Sequence, residues 1–216
     1  MTSKSKFKLI SVILIIAIAY LPTPVGAQGV PKELQFLSPI SIKEYRENIS
    51  SDTLHTLILD DSTTFQIVPQ PVGNRNFVTP LPNYVTEFQT ALNYGTIGLL
   101  AHNYLAGRYF FQILPGQVIK LVYSDNKTES FVVTQIQKYQ ALSPNDPSSE
   151  FIDLATGEQL TASQLFNKIY KNQAGHLVLQ TCLYADQKPT WGRLFIIAEP
   201  VTQTSKTESL GNKFEQ

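Results

Sequence analysis

The chain carries a single cysteine in 216 residues, Cys182, so that thiol has no partner within its own chain. Charge of one sign is missing as well: Lys+Arg and Asp+Glu stand at 17 each. Three of the lysines (Lys4, Lys6, Lys8) lie in the first 27 residues, which contain no acid; the rest of the chain has 14 basic and 17 acidic residues, net −3. A nucleic-acid partner calls for a basic footprint, and there is none; an acidic partner is not implied either. There is no internal repeat and no low-complexity tract. The longest apolar run, "LISVILIIAIAYL" (9–21), has 13 residues, short of the roughly 20 that span a bilayer.

That run follows the basic start "KSKFK" and precedes "PTPVGAQG", an arrangement expected of a secretory signal. The small residues Val25, Gly26 and Ala27 point to cleavage before Gln28; left uncleaved, the segment would be an N-terminal anchor. No cysteine follows the apolar run, which excludes a bacterial lipoprotein. The expected organisation is a signal over 1–27, a proline-containing lead-in over 28–50, one β domain over 51–202 and a polar tail over 203–216. The expected location is outside the cytoplasm, secreted or held at the outer side of a membrane by the N-terminal segment.

At 43% hydrophobic and 11% aromatic residues, there is enough apolar material for one domain of ordinary size. Short runs rich in β-branched and aromatic residues alternate with turn-forming clusters: "LHTLILD" (54–60), "TFQIVPQ" (64–70), "GTIGLLAHN" (95–103), "RYFFQIL" (108–114), "QVIKLVY" (117–123), "ESFVVTQIQKYQAL" (129–142), "HLVLQTCLY" (176–184) and "RLFIIAEPV" (193–201). About eight strands in one domain predict a barrel or a sandwich. One helix stands out over 161–175: Thr161 with Gln164 makes a capping box, Leu165/Ile169 and Phe166/Tyr170 are i,i+4 pairs, and Gly175 is placed to end it. "YVTEFQTAL" (84–92) is a weaker helical candidate. The fold expected is mainly β with one or two short peripheral helices.

In an extended strand His176, Val178, Gln180 and Cys182 share one face, and Leu177, Leu179, Thr181 and Leu183 the other. Cys182 lies just before the polar stretch "ADQKPTWG", and strand ends beside loops are where a rigid scaffold presents reactive groups. Three readings stand side by side: a small buried hydrophobe, a nucleophile, or the site of an intermolecular disulfide.

A nucleophilic cysteine needs a nearby base or cation, and acyl transfer needs donors for the oxyanion. His176 lies six residues from Cys182, about 20 Å along an extended strand, and His55 sits in an early strand beside nothing distinctive. His102, where the apolar run "GLLAH" meets a small-residue loop, is the best candidate. A hairpin through "ADQKPTWG" would return Arg193 beside Cys182.

A histidine at a strand end, "VLQTC" (178–182) and an arginine on the returning strand, "WGRLFIIA", together resemble the sortases, cysteine transpeptidases of bacterial cell surfaces. The match to the family's Thr-Leu-x-Thr-Cys strand is at Leu179, Thr181 and Cys182, with Val178 in place of the first threonine; Ala101 stands where a glycine often precedes the histidine. The resemblance covers residues 95–200 and implies a closed β-barrel of about eight strands. It also implies acyl transfer on a peptide or protein with a sorting-type signal. Cys182 would attack, His102 would serve as general acid and then base, Arg193 would stabilise the oxyanion or hold the peptide, and Thr181 would contribute to substrate binding. An amine acceptor, a cell-wall precursor or another protein, or water would resolve the thioester. No metal or organic cofactor is implied. Arg108 is the runner-up for the cationic role. The alternative is a non-catalytic exported binding protein of the same fold whose cysteine is buried. "VPQPVGNRNFVTPLPNY" (68–84) has no assigned chemistry beyond a groove lid or a connection.

Overall fold

The computed structural model describes residues 53–201; the signal, the lead-in and the polar tail read from the sequence lie outside them. Ten strands follow in chain order: β1 (Leu54–Ile58), β2 (Thr64–Pro69), β3 (Tyr84–Glu87), β4 (Ile97–Leu100), β5 (Val118–Tyr123), β6 (Thr128–Ala141), β7 (Phe151–Asp153), β8 (Gln159–Leu160), β9 (Leu177–Ala185) and β10 (Lys188–Pro200). They form one sheet in the order β10-β9-β4-β3-β2-β1-β5-β6-β7-β8, and an additional β10–β6 pairing closes the first eight into a barrel. β7 and β8 continue from β6 beyond the closure. Closure leaves no unpaired edge among those eight strands, so of the barrel and sandwich expected from the strand count the barrel is the outcome.

Side-chain alternation sorts the apolar residues into two cores. Leu57, Leu99, Ile119, Leu121, Leu177, Leu179, Leu194 and Ile196, all at most 1% exposed, fill the barrel. Val178, Phe195, Ile197, Tyr139 and Ala141, on the opposite faces of β9, β10 and β6, make a second core outside it. That outer core is roofed by a helix that opens as an α-helix at Ala162–Phe166 and continues as a π-turn over Asn167–Lys171. Thr161 and Gln164 make the expected reciprocal capping box, and Leu165, Ile169 and Tyr170 are buried against the strands. The helix stops at Lys171. Gly175, at φ +80°, shapes the turn into β9 instead.

Three elements differ from the sequence expectation. "RYFFQIL" (108–114) is not a strand: Ala106–Gln112 is a 3-10 helix in which Gly107, Phe110 and Ile113 are buried at a spacing of three. The carbonyl of His102 starts it by accepting the N–H groups of Leu105 and Gly107, so local hydrogen bonds override the β propensity of Tyr109, Phe110 and Phe111. "YVTEFQTAL" divides: Tyr84–Glu87 is β3, paired parallel to β2 and antiparallel to β4, and only Gln89–Leu92 is helical. "ADQKPTWG" is strand rather than loop, because Asp186 (φ 49°) and Gln187 (φ 59°) make a two-residue turn with both residues left-handed, whose twist lets the flanking strands keep pairing.

Since β2 and β3 are neighbours and parallel, no hairpin can join them, and the chain must leave the sheet and return. Residues 71–83 make that crossover with no strand or helix of their own.

Candidate active site

The β9–β10 hairpin puts Arg193 directly opposite Cys182 in antiparallel register. Both side chains share the face of the outer core (Val178 and Gln180 on β9, Phe195 and Ile197 on β10), so they face outward from the barrel wall. The thiol stands in the middle of a continuous strand, not at its end, and it is half-buried rather than sealed in either core.

His102 arrives on the other flank of β9. β4 lies parallel to it with Leu100 opposite Gln180, and the Ala101 N–H continues the ladder to the Gln180 carbonyl at 3.1 Å. Two residues beyond that pair on each strand are His102 and Cys182. The hydroxyl of Thr181 ties the same seam, donating to the Ala101 carbonyl at 2.8 Å from a position only 2% exposed. Its single O–H is thereby committed inside the fold, and what the hydroxyl retains for a substrate is acceptor capacity.

The imidazole of His102 stacks on Tyr104, with centroids 5.1 Å apart and planes 19° apart. Its Nε2 lies 3.2 Å from the Val78 carbonyl. Arg193 is held at its own base: Nη1 donates to the carbonyls of Thr190 (3.1 Å) and Gly192 (2.8 Å), and the guanidinium lies 5.9 Å from the Phe151 ring centroid. With Nη1 so occupied, Nε and Nη2 are the donors that such a fork can still offer. The hairpin is pinned on both sides, by Asn103 Nδ2 to the Pro189 carbonyl (2.9 Å) and by Thr190 Oγ1 to Asn145 Oδ1 (3.0 Å).

His102, Thr181, Cys182 and Arg193 all line one groove of about 560 Å³ on the outer face of the barrel. Its apolar wall is built from Phe88, Leu165, Phe166, Ile169, Tyr170 and Phe195; the two loops at its mouth bring Arg75, Asn76 and Val78 from one side and residues 144–147 from the other. Phe88 sits edge-on to Phe166 and Tyr170, at 6.2 and 5.2 Å. Tyr170 donates to Gln180 Oε1 at 2.6 Å, and burial pushes its phenol far above the ordinary value, so it serves as a neutral donor.

Other groups named from the sequence lie elsewhere. Arg108 donates to the Tyr109 hydroxyl at 2.8 Å, on an exposed turn away from the groove. His55 contacts Thr56 Oγ1, and His176 the carbonyls of Gln173 and Ala174. The residue the sequence did not single out is Val78, whose part is played by its backbone carbonyl and therefore leaves no side-chain signal. Among the described residues no group of three or more His, Cys, Asp or Glu side chains is placed to hold a metal ion.

No protein-family model matches the sequence, and no curated protein matches it. Solved structures do. Sortase C1 from Streptococcus suis is 12% identical over 78% of this chain and 84% of its own, with a TM-score of 0.47. Sortase C-1 from Actinomyces oris is 14% identical over 80% and 81%, TM-score 0.46. The sortase D5 transpeptidase of Clostridium perfringens is 15% identical over 79% and 93%, TM-score 0.44. This chain is similar to them at low sequence identity.

Proposed function

We propose that the protein is a sortase-like cysteine transpeptidase that cleaves a peptide bond in a protein sorting signal and passes the acyl group to an amine, or to water. The observation that carries the reading is the shared groove: a half-buried thiol and a forked cation from two paired strands, and a histidine from the loop after β4, converge there. The thiol is the only one in the chain.

In the first step the thiol of Cys182 passes its proton to His102 as Sγ adds to the scissile carbonyl, and the oxyanion that forms takes hydrogen bonds from Nε–H or Nη2–H of Arg193. The C–N bond then breaks, the thioester remains on Cys182, and the leaving amine takes its proton from His102. In the second step the neutral imidazole accepts a proton from the incoming amine or water as it attacks the thioester carbonyl, and Sγ departs as the thiolate, to which His102 returns the proton. Atoms and charges balance with no further reagent. The Arg193 fork is fixed before substrate arrives, because its Nη1 bonds to Thr190 and Gly192 belong to the hairpin itself.

The apolar wall beside the thiol suits a peptide whose residues near the cleaved bond are aliphatic or aromatic. The basic start and 13-residue apolar run at the N-terminus support export, with the enzyme working on the outer side of a bacterial membrane. Incubating the full chain with a peptide library and an amine acceptor, then analysing the Cys182 peptide by mass spectrometry, tests the reading. A thioester adduct that is lost in Cys182→Ala is expected. An unmodified Cys182 under every peptide tried, with product formation absent, would refute it.

A further inference from the structure

The crossover at 71–83 does more than join two parallel strands. It returns across the groove, and its Val78 carbonyl meets the Nε2 edge of the His102 ring at 3.2 Å. A carbonyl oxygen can only accept, so this contact is a hydrogen bond only when Nε2 carries the proton.

The crossover is anchored as firmly as a secondary-structure element. Gln70, 5% exposed at the end of β2, donates both amide hydrogens into it, to the carbonyls of Arg75 (2.9 Å) and Phe77 (3.0 Å). Its Oε1 accepts the Gln89 N–H at 3.2 Å, which fixes the amide whose two N–H bonds hold the loop. Beyond Val78, the Thr79 N–H donates to Thr86 Oγ1 at 2.8 Å, from a threonine with no exposed surface. Phe77, 6% exposed, is packed inward immediately before Val78. Val78 is thus held from both sides, and a plain connection between β2 and β3 would need none of these bonds.

We propose that Gln70 and Thr86 are positioning residues for His102: they hold the crossover so that the Val78 carbonyl fixes the Nε2–H tautomer of the ring. The catalytic part of this inference rests on the acyl-transfer reading. The tautomer part does not, since it concerns the free protein.

The test uses full-length chain labelled with nitrogen-15 at histidine, at a pH where the ring is neutral, in wild type, Gln70→Glu and Thr86→Val. Gln70→Glu keeps the shape and the acceptor for Gln89 but loses both donors; Thr86→Val is isosteric and loses the acceptor for Thr79, which covers the case in which the first variant fails to fold. The wild type should show His102 in the Nε2–H form. Each folded variant should shift the ring toward a mixture of tautomers. With a turned-over peptide, kcat should fall about ten- to hundredfold with KM little changed, the size expected when a proton-transfer group is displaced by about 1 Å. An Nδ1–H ring in the wild type, or folded variants with unchanged tautomer and kcat, would overturn the inference. An Nε2–H ring that shifts in the variants, in a protein that turns over no peptide, would support the crossover's hold on His102 and count against acyl transfer.

Discussion

Gly107 packs against both the His102 carbonyl and Thr181, and it offers a quantitative test of that seam. A Cβ at this position would overlap Thr181 Oγ1 and stand 2.7 Å from the His102 carbonyl oxygen and 2.9 Å from Thr181 Cβ. Neither neighbour yields cheaply. The His102 carbonyl already accepts from Leu105 and Gly107, and Thr181 is buried with its hydroxyl on Ala101. Overpacking a rigid site costs about 1–3 kcal/mol, and losing the Thr181–Ala101 bond adds about 1 kcal/mol. Gly107→Ala should therefore destabilise by about 2–4 kcal/mol, a large share of a stability of about 5–15 kcal/mol, and lower Tm by about 5–15 °C. Thr181→Ala removes the overlapping oxygen; alone it should cost about 1–3 kcal/mol by leaving the Ala101 carbonyl without that donor. In the Thr181→Ala background Gly107→Ala should cost less, with a coupling of about 1–2 kcal/mol. Urea unfolding of the four proteins, followed by circular dichroism, measures all of these. A Gly107→Ala protein within about 0.5 kcal/mol of wild type, or strictly additive costs, would refute the close approach of the two segments.

Further predictions concern the cation, the roof and an ion pair between Asp153 and Lys168. Arg193→Ala should cut acyl transfer by about 10²–10³ while leaving the unfolding midpoint nearly unchanged. Arg193→Lys should not restore activity, since one ammonium cannot replace a planar fork; steady-state kinetics beside a thermal melt checks both. Ile169→Ala, which empties a fully buried position under the helix, should cost about 2–5 kcal/mol in urea unfolding. Asp153 is pushed up by burial, but the Ala155 N–H and the Lys168 ammonium at 3.3 Å outweigh this and hold its carboxyl below the ordinary range. Its contribution to stability is therefore present above the unfolded carboxyl value of about 3.9 and lost as pH falls through the lower folded value. Asp153→Asn should flatten that part of the acid limb in unfolding midpoints measured against pH.

What could be read from the sequence was what local rules decide. The capping box at Thr161 and the pairing of Arg193 with Cys182 follow from short-range spacing, and both are in the structure. The expected eight strands match the number in the closed barrel only because two differences cancel. Residues 108–114 have strand composition but obey the His102 carbonyl, and Tyr84–Glu87 has helical spacing but is claimed by β2 and β4. In both places a partner distant in sequence, or a backbone atom, outbid intrinsic preference. The left-handed pair Asp186–Gln187 hid a continuous hairpin in a stretch that reads as loop. The Val78 carbonyl was invisible for a simpler reason: any residue carries one.

The hairpin β9–β10 fills the gap between β4 and β6, with β9 pairing to one and β10 to the other. Every strand that it joins is made earlier in the chain, so until the last 24 or so residues of the barrel emerge, β4 and β6 each present an open edge that invites pairing with another molecule. Closure depends on contacts between segments far apart in sequence, the slow kind. The same hairpin carries Cys182 and Arg193. A chain caught before closure therefore has neither a sealed sheet nor an assembled groove, and the event that protects it from aggregation is also the one that arms it.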